Sequence, residues 1–349
     1  MKANHSKRRA WPAVLLIAAV LALAVTACVL IGTAAMNRIH AVVESDVSQP
    51  ATLPSVGPTA STTTTVPTTE PTEPPTTLLD EQTVQVGAQR AILYDMTTGT
   101  VLYAKNPQQV CAPASLTKMA VAATALSLCP ANTCLTVGDE IDRMDPEASR
   151  AYLKKGQEYH LIDLTAALLL PSGSDAAYCI AAGVGRKMLG AEADEQAAID
   201  YFMEQVNAFV KRIGTVATHF VTPDGMPHAN HVSTAEDVLC ILRYCMQDKD
   251  LSRVMGSARW SAYTTKGYGV TFRNTNQLLR SDSEYYYADA VAGKTGFTDQ
   301  AGYCLAAAAT KGGHTLLAVV MGSPQSGTRF TDARTLFEAG FAAVLGSGS

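Results

Sequence analysis

The sequence predicts an α/β (α+β) fold: an antiparallel sheet built from both ends of one domain, flanked by helices, with a helical region inserted between. Two observations carry that prediction. Strand-like runs stand early, at 90–95 and 100–104, and Thr97-Thr98-Gly99 between them reads as a hairpin turn. Short apolar runs bounded by Gly and Asp return late, at 288–294, 303–310 and 315–321, with Gly312-Gly313 joining the last two. Strands at both ends with helices inserted between them make one sheet covered by helices.

The intervening elements come in order. Ala112-Pro113-Ala114-Ser115-Leu116-Thr117-Lys118-Met119 leads into an alanine-rich apolar stretch that reaches Leu128 and reads as a buried helix. Pro113 suits a helix start, because its fixed φ and missing N–H cost little there. Residues 136–156 are polar and irregular, and 161–170 are apolar and helical. A short loop, 172–174, precedes a helix at 176–189, with Asp175 placed to cap it. An amphipathic helix spans 195–213, and Thr234-Ala235-Glu236-Asp237 opens another that runs to Met246. A last helix covers 331–344.

Ahead of this domain lies a different kind of chain. Residues 1–10 hold Lys2, Lys7, Arg8 and Arg9. From Trp11 to Met36 no side chain is charged, a run long enough to span a bilayer. The basic flank puts residues 1–10 in the cytoplasm and the chain beyond the run outside. The expected organisation is a cytoplasmic segment at 1–10, a transmembrane anchor or signal at 11–36, a Thr/Pro-rich disordered stalk at 37–83 and a catalytic domain at 84–349. Stalk residues such as Thr62-Thr63-Thr64-Thr65-Val66-Pro67 have no apolar periodicity and cannot build a core. The localisation expected is the cell membrane, single-pass, with the catalytic domain extracytoplasmic. Two alternatives stay open. Ala34 and Ala35 fit a cleaved signal and hence secretion, and Val25-Thr26-Ala27-Cys28 is similar to a lipoprotein cleavage site.

Composition bounds the rest. Of 349 residues, 47% are apolar and 17% charged, so a sizeable core is available. A formal net charge of −4 gives no reason to expect nucleic acid. Of eight cysteines, Cys28 lies in the apolar run, which leaves an odd number. Cys129 and Cys134 could close a small loop disulfide, while Cys179, Cys240, Cys245 and Cys304 read as buried thiols. No C-x-x-C pair is present, so a structural zinc is not expected, and the reading calls for no cofactor.

The chemistry centres on Ser115 and Lys118. Three apart on a helix, they project from one face. A serine hydroxyl is a poor nucleophile until a base takes its proton, and lysine can be that base only where burial or a nearby cation disfavours its charge. A helix start adds positive potential where an oxyanion forms. Alone, S-x-x-K is weak evidence. Pro171-Ser172-Gly173-Ser174-Asp175 and Gly293-Lys294-Thr295-Gly296 come after it in the order S-x-x-K, S-x-N, K-T-G, with serine where the second pattern has asparagine.

With those motifs, the stretch from about Gln89 to Phe341 resembles serine-type D-alanyl-D-alanine carboxypeptidases, the low-molecular-weight penicillin-binding proteins of peptidase family S11. Three further segments carry the resemblance: Thr218-His219-Phe220-Val221-Thr222-Pro223-Asp224-Gly225, Asn230-His231-Val232-Ser233-Thr234-Ala235-Glu236-Asp237 and Ala301-Gly302-Tyr303-Cys304-Leu305. The resemblance implies a β-lactamase/transpeptidase-like fold, here without the C-terminal β-rich domain many members carry. It implies Ser115 as nucleophile, Lys118 as base and Ser172 as proton relay. Ser174, Lys294, Thr295, Gly296, Phe297 and Arg329 become substrate-binding positions. Lys294 and Thr295 would bind the terminal carboxylate, with Lys294 also keeping Lys118 neutral by repulsion. Backbone N–H groups of Ser115 and Phe297 would form the oxyanion hole. The implied substrate is a peptidoglycan stem peptide ending in D-Ala-D-Ala, and β-lactams would acylate the same serine.

Four rival readings compete with this one. A Ser-His-Asp hydrolase lacks a G-x-S-x-G and a histidine tied to serine. A metallopeptidase built on His219, His228 and His231 lacks the usual helical spacing. A class A β-lactamase shares the three motifs but needs a glutamate-activated water with no clear counterpart. A catalytically weak, membrane-tethered wall sensor is motivated by Ser174.

Overall fold

The computed structural model describes residues 78–346. The basic segment, the 11–36 run and nearly all of the stalk lie outside the described residues. Packing begins slightly before residue 84: the backbone N–H of Leu79 donates to Leu102 O at 2.9 Å, and Val84 is buried.

In chain order, β1 (Arg90–Asp95) and β2 (Thr100–Lys105) form the expected hairpin. A single 3-10 turn, Ala114–Leu116, leads into α1 (Thr117–Leu128). Two short strands, β3 (Cys134–Thr136) and β4 (Glu158–His160), pair across the irregular stretch. Four helices come next: α2 (Leu161–Leu169), α3 (Ser174–Leu189), α4 (Glu195–Arg212) and α5 (Ala235–Gln247). A short α6 (Lys249–Met255) precedes the hairpin of β5 (Arg259–Tyr263) and β6 (Gly269–Arg273). The chain then runs through β7 (Ala290–Thr298), β8 (Gly302–Lys311), β9 (His314–Ser323) and α7 (Thr328–Gly346).

The main sheet has the order β2-β1-β9-β8-β7, all antiparallel. Strands from the two ends of the domain therefore meet at β1 and β9, as the sequence predicts. Alternation along each strand feeds two cores. Ile92, Ala306, Ala308, Leu317 and Val319 face the helices α1 to α6. Ala91, Leu93, Leu305, Ala307, Leu316 and Ala318 face α7. Both faces are covered, which is why β8 and β9 read as near-continuous apolar runs. In α1, every residue from Thr117 to Ala125 is buried, as expected of a helix enclosed on all sides. Gly312 and Gly313 both have positive φ, the twist a tight β8–β9 hairpin needs.

Several local expectations change. Asp175 does not cap from outside: α3 begins at Ser174, and the Asp175 carboxylate reaches sideways to accept the backbone N–H groups of Ala151 and Leu153, each at 2.9 Å. Those bonds bracket Tyr152, which has φ +62°. Thr234 does cap α5, accepting from Asp237 N at 3.0 Å. Cys129 and Cys134 are both free thiols, so their spacing closes no loop. The β3–β4 ladder, α6 and the β5–β6 hairpin are not in the sequence reading. Each is too short for its periodicity to stand out.

Candidate active site

Ser115 sits on the 3-10 turn before α1, and that turn is held from several sides. Ala114 has φ +49°, an uncommon conformation for a residue with a side chain. Its carbonyl accepts from Thr117 Oγ1 at 2.8 Å. Gly225, with φ +86°, lies so close that an added Cβ would stand 2.1 Å from Ala114 O. Only glycine fits both that backbone conformation and that contact. On the other side, a Cβ on Gly296 would meet Pro113 O at 3.2 Å, so edge strand β7 also rests against the turn.

Helical spacing then does what it predicts. Lys118 Nζ donates to Ser115 Oγ at 2.9 Å, to Asp224 O at 2.9 Å and to Ser174 Oγ at 3.2 Å. Lys118 is 1% exposed. Burial pulls its amine down to about 8, against the opposing pull of Asp224 and then Asp175. The charged amine makes these three donations, and its neutral form, brought within reach by a titration near 8, is the general base that can take the serine proton.

The second motif lies opposite. Ser172 has φ +65° and is 6% exposed. Ser149 Oγ donates to Ser172 O at 2.6 Å, and Ser174 N donates to Ser149 O at 2.8 Å. The Ser149 segment thus fixes both ends of the S-x-S motif. Ser174, 1% exposed, faces the site and accepts from Lys118.

The third motif places Lys294 on β7, fully buried, with Nζ donating to Ser172 Oγ at 2.9 Å and Thr295 O at 2.6 Å. Lys294 is held well below its ordinary range by burial first, then by the charges of Lys118 and Arg329. The resemblance assigned repulsion from Lys294 the task of neutralising Lys118. Burial is the first cause for both lysines, and the repulsion between them disfavours charge on the pair. Lys294 also does not line the cleft; it lies behind Ser172 and Thr295.

The cleft has a volume of about 530 Å³, and Ser115, Ser172, Ser174, Thr295, Phe297 and Arg329 are among its lining residues. Thr295 Oγ1 shares a hydrogen bond with Thr275 Oγ1 at 2.7 Å. Arg329 Nη1 donates to Gly296 O at 3.0 Å, while its guanidinium packs over Tyr303 and Phe330 at 5.2 and 4.9 Å. Phe297 stacks on Tyr303 at 4.3 Å and is 47% exposed at the mouth. A half-buried serine, two buried lysines and an arginine beside one open cleft make a site where a serine can be acylated by a substrate with an anionic end.

Sequence reasoning gave no role to Ser149, Thr275 or Asp224. Asp224 holds Lys118 through its backbone carbonyl, which no side-chain motif can signal, while its carboxylate favours the charged amine. The three histidines are separated in use. His219 Nδ1 faces Asn230 O at 3.0 Å, His228 Nδ1 accepts from Asn230 N at 3.1 Å, and His231 faces inward to Thr117.

Fold and site together define a serine-type peptidase with a lysine base. Residues 76–325 match the family model for D-alanyl-D-alanine carboxypeptidase, and the chain belongs to that family. It is 30% identical to D-alanyl-D-alanine carboxypeptidase DacA of Haemophilus influenzae over 266 residues, covering 74% of this chain and 63% of that protein. It is 30% identical to the D-alanyl-D-alanine carboxypeptidase of Streptomyces sp. strain K15 over 254 residues, covering 70% and 84%. The crystal structure of the Streptomyces K15 DD-transpeptidase superposes with a TM-score of 0.67 at 29% identity, covering 74% of this chain and 98% of that one.

Proposed function

We propose that this protein removes the terminal D-alanine from peptidoglycan stem peptides ending in D-Ala-D-Ala, through an acyl-enzyme on Ser115. The observation that carries the reading is the 2.9 Å contact from a buried, pKa-lowered Lys118 to Ser115 Oγ. Lys118 takes the Ser115 proton as Oγ attacks the carbonyl carbon. The negative charge that develops on the carbonyl oxygen is met by the N–H groups of Ser115 and Phe297. Ser172 gives its proton to the leaving nitrogen and receives one from Lys294, so charge passes from Lys294 to Lys118 as D-alanine leaves. The substrate carboxylate, held near Thr295 Oγ1 and Arg329, supplies the negative charge that favours a proton on Lys294. Water then attacks the ester, passing one proton through Ser172 back to Lys294, while Lys118 returns its proton to Ser115 as the ester bond breaks, so both lysines end as they began. A β-lactam enters the same first step and stays as the acyl adduct.

Ser174 motivates a second reading, a catalytically weak wall sensor that keeps the acylation step. The same experiment separates the two. The protein is labelled with a fluorescent penicillin, the labelled peptide is mapped, and D-alanine release from diacetyl-Lys-D-Ala-D-Ala is measured. Label on Ser115 with D-alanine release is the expected result. Label without release favours the sensor, and a labelled peptide lacking Ser115 overturns both readings. Ser115→Ala is expected to lose label and release together.

The basic cluster and the uncharged run at 11–36 support a membrane tether with the catalytic domain outside. Full-length protein in the membrane fraction, open to external protease, is the expected result. Recovery in the medium with an N-terminus near Ala35 favours a cleaved signal, and lipid on Cys28 a lipoprotein.

A further inference from the structure

One buried group has no part in the mechanism above. His231 is 2% exposed and lies between the 218–225 loop and the start of α1. Its Nδ1 accepts the backbone N–H of Val221 at 3.0 Å and of Thr222 at 3.3 Å. Nδ1 is therefore the bare nitrogen, and Nε2 carries the ring proton. Nε2 stands 2.8 Å from Thr117 Oγ1, which donates its own proton to Ala114 O at 2.8 Å. A hydroxyl has one proton to give, so this polarity alone satisfies every member. Burial holds the ring down to about 4, so the neutral tautomer persists across the working range.

The two ends of this chain of hydrogen bonds reach the two halves of the acylating pair. Ala114 is the left-handed residue whose peptide carries Ser115 N, one of the assigned oxyanion donors. Val221 and Thr222 run into Asp224, whose carbonyl accepts from Lys118 at 2.9 Å and from Ser115 Oγ at 3.5 Å. A strained turn persists only where its surroundings over-determine it. Through Thr117, the imidazole joins the two segments from behind, away from the reacting atoms.

We infer that His231 is a positioning residue for acylation: its ring ties the Val221–Thr222 backbone to the Ala114–Ser115 turn through Thr117 Oγ1, aligning Ser115 N–H and the Asp224 carbonyl about the nucleophile. The inference rests on the acylation chemistry proposed above. Its ligand is the protein's own backbone, and its effect is on rate rather than on substrate affinity.

Three variants of the full chain test it: His231→Leu, which fills the volume without donor or acceptor; His231→Gln, which keeps one of each; and Thr117→Val. Benzylpenicillin acylation is followed by stopped flow, separating the first-order acylation constant from the non-covalent binding constant. Losing a positioning hydrogen bond of this kind slows acylation by roughly ten- to a hundredfold. His231→Leu and Thr117→Val should each fall in that range, with the binding constant within about threefold of wild type. His231→Gln should recover most of the rate, and the Leu/Val double variant should be slowed by less than the product of the single effects. Should His231→Leu fail to fold, Thr117→Val against His231→Gln still decides the matter. Wild-type acylation constants in Thr117→Val, or a His231→Gln variant slowed like Thr117→Val, would overturn the inference. Failure of the functional reading looks different: the wild-type protein itself takes no label on Ser115.

Discussion

Replacing Asp224 with asparagine is expected to make acylation faster at neutral pH. Lys118 is a base only when neutral, and its amine titrates at about 8. At pH 7 roughly one molecule in ten then has the amine free. Burial lowers the amine, and the buried Asp224 carboxylate is the larger of the two charges that pull it back up. Asparagine removes that charge. It keeps the backbone carbonyl that accepts from Lys118 at 2.9 Å and a side-chain oxygen for Met226 N, now at 3.2 Å. The amine should titrate lower, and the gain has a ceiling set by the wild-type neutral fraction. That ceiling is about tenfold at pH 7, about twofold at pH 8 and close to nothing at pH 10. The assay is the second-order rate constant for benzylpenicillin acylation from pH 5.5 to 10, for both proteins. The rising limb should move to lower pH while the plateau stays in place. A limb that holds its position or moves to higher pH refutes the argument, because Asp224 would then not be the charge that holds the proton on Lys118.

The same geometry sets three further outcomes. Ser174→Asn should raise kcat/KM for D-Ala-D-Ala peptides by roughly tenfold or more, since an amide can accept from Lys118 and donate to substrate where the hydroxyl has one proton; an unchanged or lower value means the site is rebuilt around serine. Gly225→Ala should slow penicillin labelling by at least about a hundredfold and lower Tm, because the new Cβ would lie 2.1 Å from Ala114 O; labelling at the wild-type rate sinks that account. Lys118→Met should be more stable than wild type at pH 7, measured by urea denaturation. The buried amine titrates at about 8 rather than 10.5, so keeping it charged in the folded state costs on the order of 3 kcal/mol below pH 8. The folded state binds fewer protons between those values, so the variant's advantage should shrink as pH rises from 8 to 10.5; a constant difference refutes the linkage.

The parts of this site legible in the sequence are those that chemistry ties to fixed spacing. Ser115 and Lys118 meet because three residues on a helical turn share a face. The sheet was legible because β1, β2 and β7 to β9 are apolar runs separated by turn residues. What stayed hidden works through the backbone or through long-range contact. The Asp224 carbonyl has no side-chain signal, and Ser149 looks like any loop serine until Ser172 is folded against it. The depth to which both lysines are buried was also out of reach. Burial, which acts first on both, is a property of the packed helix and strand, and the sequence reading had only their charges to compare.

The sheet order has a consequence for how the protein is made. β9 lies between β1 and β8, with Arg90 opposite Met321, so the hairpin synthesised first can join the sheet only after nearly all of the domain exists. At ordinary synthesis rates that interval is on the order of tens of seconds, during which one edge of the β1–β2 hairpin lacks its partner. Lys118 is equally unfinished over that time. Ser174 and the Asp224 carbonyl, which hold its amine, belong to stretches made later than the nucleophile. The nascent chain therefore carries its nucleophile well before the residues that hold its base.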